Sequence, residues 1–336
     1  MHLGGFVVTA SSTTWVYLSN SCYGYWLSFK AMDLRQLAAL TAVADHRSFS
    51  GAARALHTVQ SNVSTHVARL ERELGASLVD RTSGGLTDAG AIVVARARRI
   101  LNELDAITAD VSSSLGEVSG QVRLGVIGTT GRWLLPLVLD ALGTDHPKVR
   151  IVTIDATTTS LVPQLAARDL DLAVVNLPVD DPDVDTEALF VEEHVFVAPT
   201  AHPLADRPHL HLRDLAGIPL LLEPIGTGFR DDLELDAERE EVTLVARAEV
   251  DGMRLLASLA QQGWGAAILP ASAGTEAAAG RAIPLDGTTP RSVGLATPRR
   301  TRLSSPATAT VEVIRRVVLA EVPTRNGLRL VRTGEN

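Results

Sequence analysis

Residues 49–74, FSGAARALHTVQSNVSTHVARLEREL, hold two short helical patterns separated by a tight polar corner, which confines this stretch to a small set of all-α packings. The first pattern opens at Ser48-Phe49-Ser50, where a hydroxyl can take up free backbone N–H groups. It runs through Ala52, Ala53 and Leu56, an apolar stripe slim enough for another helix to pack closely. The corner falls at His57-Thr58-Val59. Beyond it Val63, Val67, Leu70 and Leu74 recur at steps of four, three and four and define one buried face. The opposite face presents Gln60, Ser61, Asn62, Ser64, Thr65, His66 and Arg69. Gln and Asn can pair bidentately with adenine, Ser and Thr reach base edges or phosphates, and Arg reaches guanine or phosphate. An ordinary surface helix would carry Lys and Glu at such positions. Short polar groups point instead to a helix-turn-helix, with double-stranded DNA as the first partner.

The segments that follow extend this reading. Residues 78–90 read as a strand, a glycine turn at Gly84-Gly85 and a second strand, with Thr87 or Asp88 placed to cap a helix, which makes a wing candidate. Then Val93, Ala97, Ile100, Leu104, Ile107 and Val111 alternate spacings of four and three, the seam of a two-helix coiled coil. A seam cannot bury itself alone, so a homodimer through this helix is expected, the alternative being a long helix packed on its own domain.

At this point the chain resembles the LysR-type transcriptional regulators. Met32-Asp33-Leu34-Arg35-Gln36-Leu37 is similar to that family's usual start, and Ser48-Phe49-Ser50-Gly51-Ala52-Ala53-Arg54-Ala55-Leu56-His57 to its first helix-turn-helix helix. Gln60-Ser61-Asn62-Val63-Ser64 and Leu70-Glu71-Arg72-Glu73-Leu74-Gly75 resemble its recognition helix, and Leu86-Thr87-Asp88-Ala89-Gly90 the end of its wing. The resemblance runs from Met32 to about Val322. It implies an N-terminal all-α winged helix-turn-helix plus linker helix, followed by an α/β two-lobed effector domain resembling periplasmic binding proteins. It also implies an assembly that can reach a tetramer. Two departures stand out. Val59 occupies a place where the family commonly has a capping Ser or Thr, so Thr58 or Ser61 is expected to cap the recognition helix. The wing is short and lacks the extra basic residue at its tip, leaving Arg81 as its main phosphate contact beside Ser48 and Arg54.

Residues 1–31 do not belong to this pattern. They hold the only Cys (Cys22), all three Tyr (Tyr17, Tyr23, Tyr25) and two of the four Trp (Trp15, Trp26), with almost no charge. They lack the basic start of a secretory signal and are broken by Ser, Thr, Asn and Gly, whereas a membrane span needs roughly 20 mainly apolar residues. We therefore expect an anomalous leader upstream of a true start at Met32, the alternative being a genuine disordered or membrane-touching arm, with no membrane partner and a cytoplasmic protein. A lone Cys excludes a disulfide framework and fits a reducing compartment. The formal charge of -8 looks wrong for a DNA binder. Residues 33–115 balance acids and bases, however, so the excess acid lies further along. Non-specific affinity, which grows with each neutralised phosphate, should then be weak, and paired half-sites must supply tight binding.

The reading divides the chain into a winged helix-turn-helix at 32–90, a linker and dimerisation helix at 91–115, a hinge at 116–120, an effector domain at 121–322 and a tail at 323–336. Within the effector domain, alternating strands and helices argue for a parallel sheet with helices on both faces. The resemblance implies a crossing between two lobes, the first taking 121–196 and 288–322 and the second 197–287. In such sheets ligands sit beyond the strand carboxyl ends, against helix N-termini. Gly128-Thr129-Thr130-Gly131, Thr158 with Thr159, Asn176, and Gly226-Thr227-Gly228 hold such places, forming a ring of hydroxyls and glycines suited to a small organic anion. Each turn alone reads equally as simple capping, and Asp251 would oppose an anion if it faced inward. Enzyme readings find no footing: Gly125, Gly128 and Gly131 miss the dinucleotide spacing, and there is no G-x-S-x-G. No cofactor, metal or catalytic residue is expected. The alternatives are a solute-binding protein or an enzyme with no DNA role.

Overall fold

A computed structural model describes residues 32–80, 84–274, 280–299 and 302–331. The leader at residues 1–31 and the expected wing contact Arg81 lie outside the described residues.

The first unit packs α1 (Leu34–His46), α2 (Phe49–Ala55) and α3 (Gln60–Leu74) beneath the start of α4 (Asp88–Ser114). Asp33 and Gln36 close a reciprocal capping box at the start of α1, and Ser48 caps α2 by accepting from the Gly51 N–H. Leu40, Ala52, Val63, Val67, Leu70, Leu78 and Ala97 close one core. The corner turns at His57, which adopts φ 51°, and Gly75 stops α3 at φ 67°, where a Cβ would be strained. Neither Thr58 nor Ser61 caps α3: its N-cap is Val59, without a side-chain hydrogen bond. Leu74, expected on the buried face, is 39% exposed and lies outside the core that Leu70 closes. Among the described residues the wing reduces to a single antiparallel bridge between Val79 and Leu86. Thr87 then caps α4 by accepting from the Gly90 N–H.

Beyond α4 the chain builds two six-stranded sheets. Into the first go β1 (Ser119–Val126), α5 (Gly128–Asp145), β2 (Lys148–Asp155), α6 (Thr158–Ala166), β3 (Leu172–Leu177) and β4 (Val184–Glu192). The chain crosses at Glu193 into β5 (His194–Pro199), β6 (Leu210–His211), β7 (Pro219–Leu222), α7 (Gly228–Arg239), β8 (Val245–Glu249), α8 (Met253–Gln261), β9 (Ala266–Pro270), α9 (Ala271–Gly274) and β10 (Gly280–Asp286). It returns through β11 (Arg291–Pro298), α10 (Ser305–Glu321) and β12 (Leu328–Leu330). Strand order is β12-β4-β11-β3-β1-β2 in the first sheet and β6-β10-β5-β9-β7-β8 in the second.

Neither sheet is parallel throughout, which corrects the expectation from the sequence. β1, β2 and β3 run parallel, but β11 pairs antiparallel with both β3 and β4, and β5 pairs antiparallel with β9 and β10. Returning strands enter each sheet from the other lobe, so they arrive reversed. Two segment readings also shift. Ser119 and Gly120, read as hinge, already pair with Lys148 and Val149, and Leu328–Leu330, read as tail, pairs with β4. No helix among the described residues is long and apolar enough to cross a membrane.

Candidate functional site

The α3 surface is built as its spacing requires. Val63, Val67 and Leu70 are buried, while Gln60, Ser61, Asn62, Thr65 and Arg69 occupy the other side and are exposed, and Ser64 and His66 are half-buried at the flanks. Several of these groups are held before any partner arrives. The Asn62 amide donates to Thr58 Oγ1 at 3.0 Å, and the Thr65 hydroxyl donates to the Ser61 carbonyl at 2.7 Å. Arg69 Nε lies 3.0 Å from Glu73 Oε1, one turn along the same helix. Arg54 stands exposed on α2. The face is therefore a row of short donors and acceptors on a rigid helix, able to enter a major groove without large side chains being ordered first.

Along α4 the apolar row divides. Val94 and Ala97 are buried in the helical unit, with Val93 packed against it, whereas Ile100, Leu104, Ile107 and Val111 are exposed, Ile107 at 59% and Val111 at 58%. These four apolar side chains, at heptad spacing on one helix face, belong to none of the hydrophobic cores among the described residues.

The second candidate site lies where the parallel strands of both sheets end. Thr129 and Thr130 fall in the first turn of α5, and Thr158 and Thr159 in that of α6, where the Thr158 hydroxyl accepts from the Asn176 N–H at 3.0 Å. Gly226 and Thr227 precede α7, and Gly228 is its first residue. At none of these three helix starts does the N-cap side chain accept a backbone N–H. The Gly226 N–H is already taken by Asp231 at 2.9 Å, and the Thr227 hydroxyl donates to the Pro224 carbonyl at 2.9 Å.

The crossing strands tie these turns together through residues the sequence did not single out. Arg291 donates from Nη2 to Thr129 Oγ1 at 2.7 Å and pairs with fully buried Glu192 at 2.5 Å. His194, 4% exposed, meets Phe229 of the second-lobe turn edge-on with ring centroids 5.3 Å apart. Neither His194 nitrogen has a hydrogen-bond partner among the described residues, and the same holds for Thr130 Oγ1 and Asn176 Oδ1. Burial, helped by the Arg291 charge, pushes the His194 pKa down to about 4, so the ring is neutral at pH 7 and offers one donor and one acceptor. Nearby, burial and then the Asp251 charge raise the Glu223 carboxyl above its usual range. Arg254 on α8 reaches Asp155 at the end of β2 at 2.6 Å, an ion pair spanning the two lobes. Unmet polar atoms of this kind cost about 1–3 kcal/mol each in a folded interior.

Residues 34–91 match the profile described as "Bacterial regulatory helix-turn-helix protein, lysR family", and residues 115–319 match "LysR substrate binding domain". A "Probable hydrogen peroxide-inducible genes activator" from Streptomyces viridosporus is 33% identical over 244 residues, 72% of this chain and 78% of that protein. The "DNA-binding transcriptional dual regulator OxyR" of Escherichia coli (strain K12) is 32% identical over 248 residues, 72% and 80% of the two chains. Among solved structures, a full-length OxyR variant from Pseudomonas aeruginosa shares the fold with a TM-score of 0.68 at 24% identity, over 90% of this chain and 99% of that one. "Crystal structure of full-length CbnR complexed with the target DNA complex" does so with a TM-score of 0.67 at 24% identity, over 85% and 100%. The helical unit and the two-lobed unit each carry the family's signature, and the chain belongs to the LysR family of DNA-binding transcription regulators with an effector-binding domain.

Proposed function

We propose that the protein binds a paired DNA site as a homodimer joined through α4, and that a small organic molecule bearing a carboxylate controls it from the cleft between the sheets. The observation that carries this reading is the α3 face, short polar groups backed by a buried aliphatic spine. Gln60, Ser61, Asn62, Ser64, Thr65, His66 and Arg69 face the major groove, with Arg69 exchanging Glu73 for a base or phosphate. Ser48, Arg54 and Arg81 contact phosphates. In the cleft, Thr129, Thr130, Thr158, Thr159, Asn176, Gly226, Thr227 and Gly228 surround the effector, whose carboxylate meets the first-turn amides of α5 and α6. The chain acts without catalysing a reaction, in the cytoplasm where its DNA lies.

Hydrogen peroxide appears in the names of several relatives. Residues 32–336 contain no cysteine, the one thiol being Cys22, so reversible thiol oxidation has no substrate in either domain. This supports an organic effector in place of peroxide. The test is a gel shift on DNA from upstream of the chain's own coding sequence, at physiological salt, with the full chain and its Cys22→Ser variant. Preference for that duplex over a random one, unchanged by hydrogen peroxide in both proteins, is the expected result. Equal binding to both duplexes would defeat the DNA reading, and a peroxide-dependent shift in the Cys22→Ser protein would defeat the organic-effector reading.

A further inference from the structure

We infer that α6 is the strut that carries the state of the cleft to the linker helix, with Arg99 and Asn102 as the positioning residues at its far end. The inference rests on the proposed function only in taking the first turn of α6 as part of the effector site. That helix is nine residues long, about 13 Å, and its two ends touch the two places a signal must connect. At its start, the Thr158 hydroxyl accepts from the Asn176 N–H at the end of β3. At its finish the carbonyls have no helical partner, and α4 supplies one. Arg99 Nε donates to the Ala167 carbonyl at 2.6 Å, and Asn102 Nδ2 donates to the Arg168 carbonyl at 3.1 Å. A cation at a helix C-terminus is favoured by the helix dipole as well as by the hydrogen bonds. Asn102 is itself fixed, because Arg123 of β1 donates to its Oδ1 at 2.5 Å.

The linker helix is held at a second point of opposite character. Asp110 Oδ1 accepts both the N–H and the hydroxyl of Ser305, at 2.8 Å each, at the start of α10, whose own N-cap Ser304 makes no side-chain bond. These bonds hold the Asp110 carboxyl below its usual range. So α4 gives a cation to the end of α6 and an anion to the beginning of α10, at points 8 to 11 residues apart, roughly 12–16 Å along its axis. The α10 helix packs into the first-lobe core through Val311, Ile314 and Val318. The α6 helix shares that core through Leu161 and Leu165, but at its start Thr157, Thr159 and Ser160 are exposed. A ligand drawn in by Thr158 and Thr159 moves α6 relative to α10, and the linker helix, gripped at both, must turn about Asp110. The α1–α3 unit, packed on the start of α4, turns with it.

Hydrogen exchange of the full chain, free of DNA and effector, tests the strut. Arg99→Gln and Asn102→Ala should each raise exchange within residues 172–178, where Thr158 holds the Asn176 N–H, by roughly fivefold, the loss of about one hydrogen bond. Thr158→Val should in turn raise exchange within residues 99–103 of the linker helix by a similar factor. Arg99→Lys, which keeps a cation at the α6 end, should restore most of the protection at 172–178. Arg315→Gln, which breaks the exposed pair with Glu187 elsewhere on the first lobe, should change neither segment. If each substitution changes exchange only at its own end of α6, or if Arg315→Gln changes both segments alike, the strut is refuted. Failure of the gel shift would count against the DNA reading and leave this result standing.

Discussion

His194 shows how much a single buried side chain can contribute. Its pKa is held down to about 4 by burial first and by the Arg291 charge second, with Glu192 and Asp236 pulling the other way. Those three are the charged groups that face it, two from the crossing strands and one from α7. Because the folded value lies below the ordinary 6.5, the unfolded chain takes up the proton first. Stability from this group is therefore complete above about pH 6.5 and falls as the pH drops toward 4, by roughly 3 kcal/mol in total. Urea unfolding from pH 7 to pH 5 should show that decline, and His194→Gln should flatten it; equal slopes in the two proteins would exclude the assignment. Asn62 makes the contrasting case, an exposed amide already aimed by Thr58. Asn62→Ala should weaken specific binding by roughly 1–3 kcal/mol while leaving random DNA nearly unaffected, as fluorescence anisotropy on the two duplexes would report. Equal losses on both would remove its base-reading role. Asn62 was legible in the sequence because it lies within a few residues of the periodic spine that defines its face. His194 and the Arg291–Glu192 pair were not, since the pair joins positions 99 residues apart across a crossing that no local pattern announces.

At the scale of elements, periodicity marked helices well and short strands poorly. The α3 and α4 patterns repeat over several turns, so one irregular residue does not hide them. β4 carries four consecutive exposed residues after Val184, and β12 is three residues long, so neither shows an alternation to read. The heptad row of α4 was legible as a seam, but spacing cannot say whose surface covers it. The fold divides the row: Ala97 turns into its own domain, while Ile100, Leu104, Ile107 and Val111 stay outside. Leu104→Asp should therefore leave the protomer folded, because this side chain lies outside its core, while breaking the homodimer. Burying an apolar side chain of this size contributes about 1.5–3 kcal/mol, and symmetry doubles the loss, so dimer affinity should fall by roughly 100-fold or more. Sedimentation equilibrium alongside thermal unfolding separates the two effects. A variant that remains dimeric would show that the row packs elsewhere.

On the scale of the whole molecule, the two lobes are joined by the crossing strands and by the Asp155–Arg254 ion pair. The two-lobed division came from the family resemblance, because the strands that return from the second lobe run antiparallel to their neighbours and break the alternation a parallel sheet would show. Asp155 and Arg254 meet across the two lobes at 2.6 Å, but the Arg254 side chain is 68% exposed. An exposed pair contributes at most about 1 kcal/mol to stability and weakens as salt rises. That is too little to hold the fold and enough to shift an equilibrium between open and closed lobes up to about fivefold. Arg254→Ala should accordingly leave the urea midpoint nearly unchanged yet widen the mean separation of the lobes. Fluorescent labels placed at Lys148 and Glu238, exposed positions on the two lobes, would report the widening by energy transfer. High salt should widen the wild-type protein in the same way and leave the variant unmoved. An unchanged transfer efficiency in the variant would mean that the crossing strands alone set the closure, with Arg291 and the fully buried Glu192 it pairs with as the groups that fix the hinge.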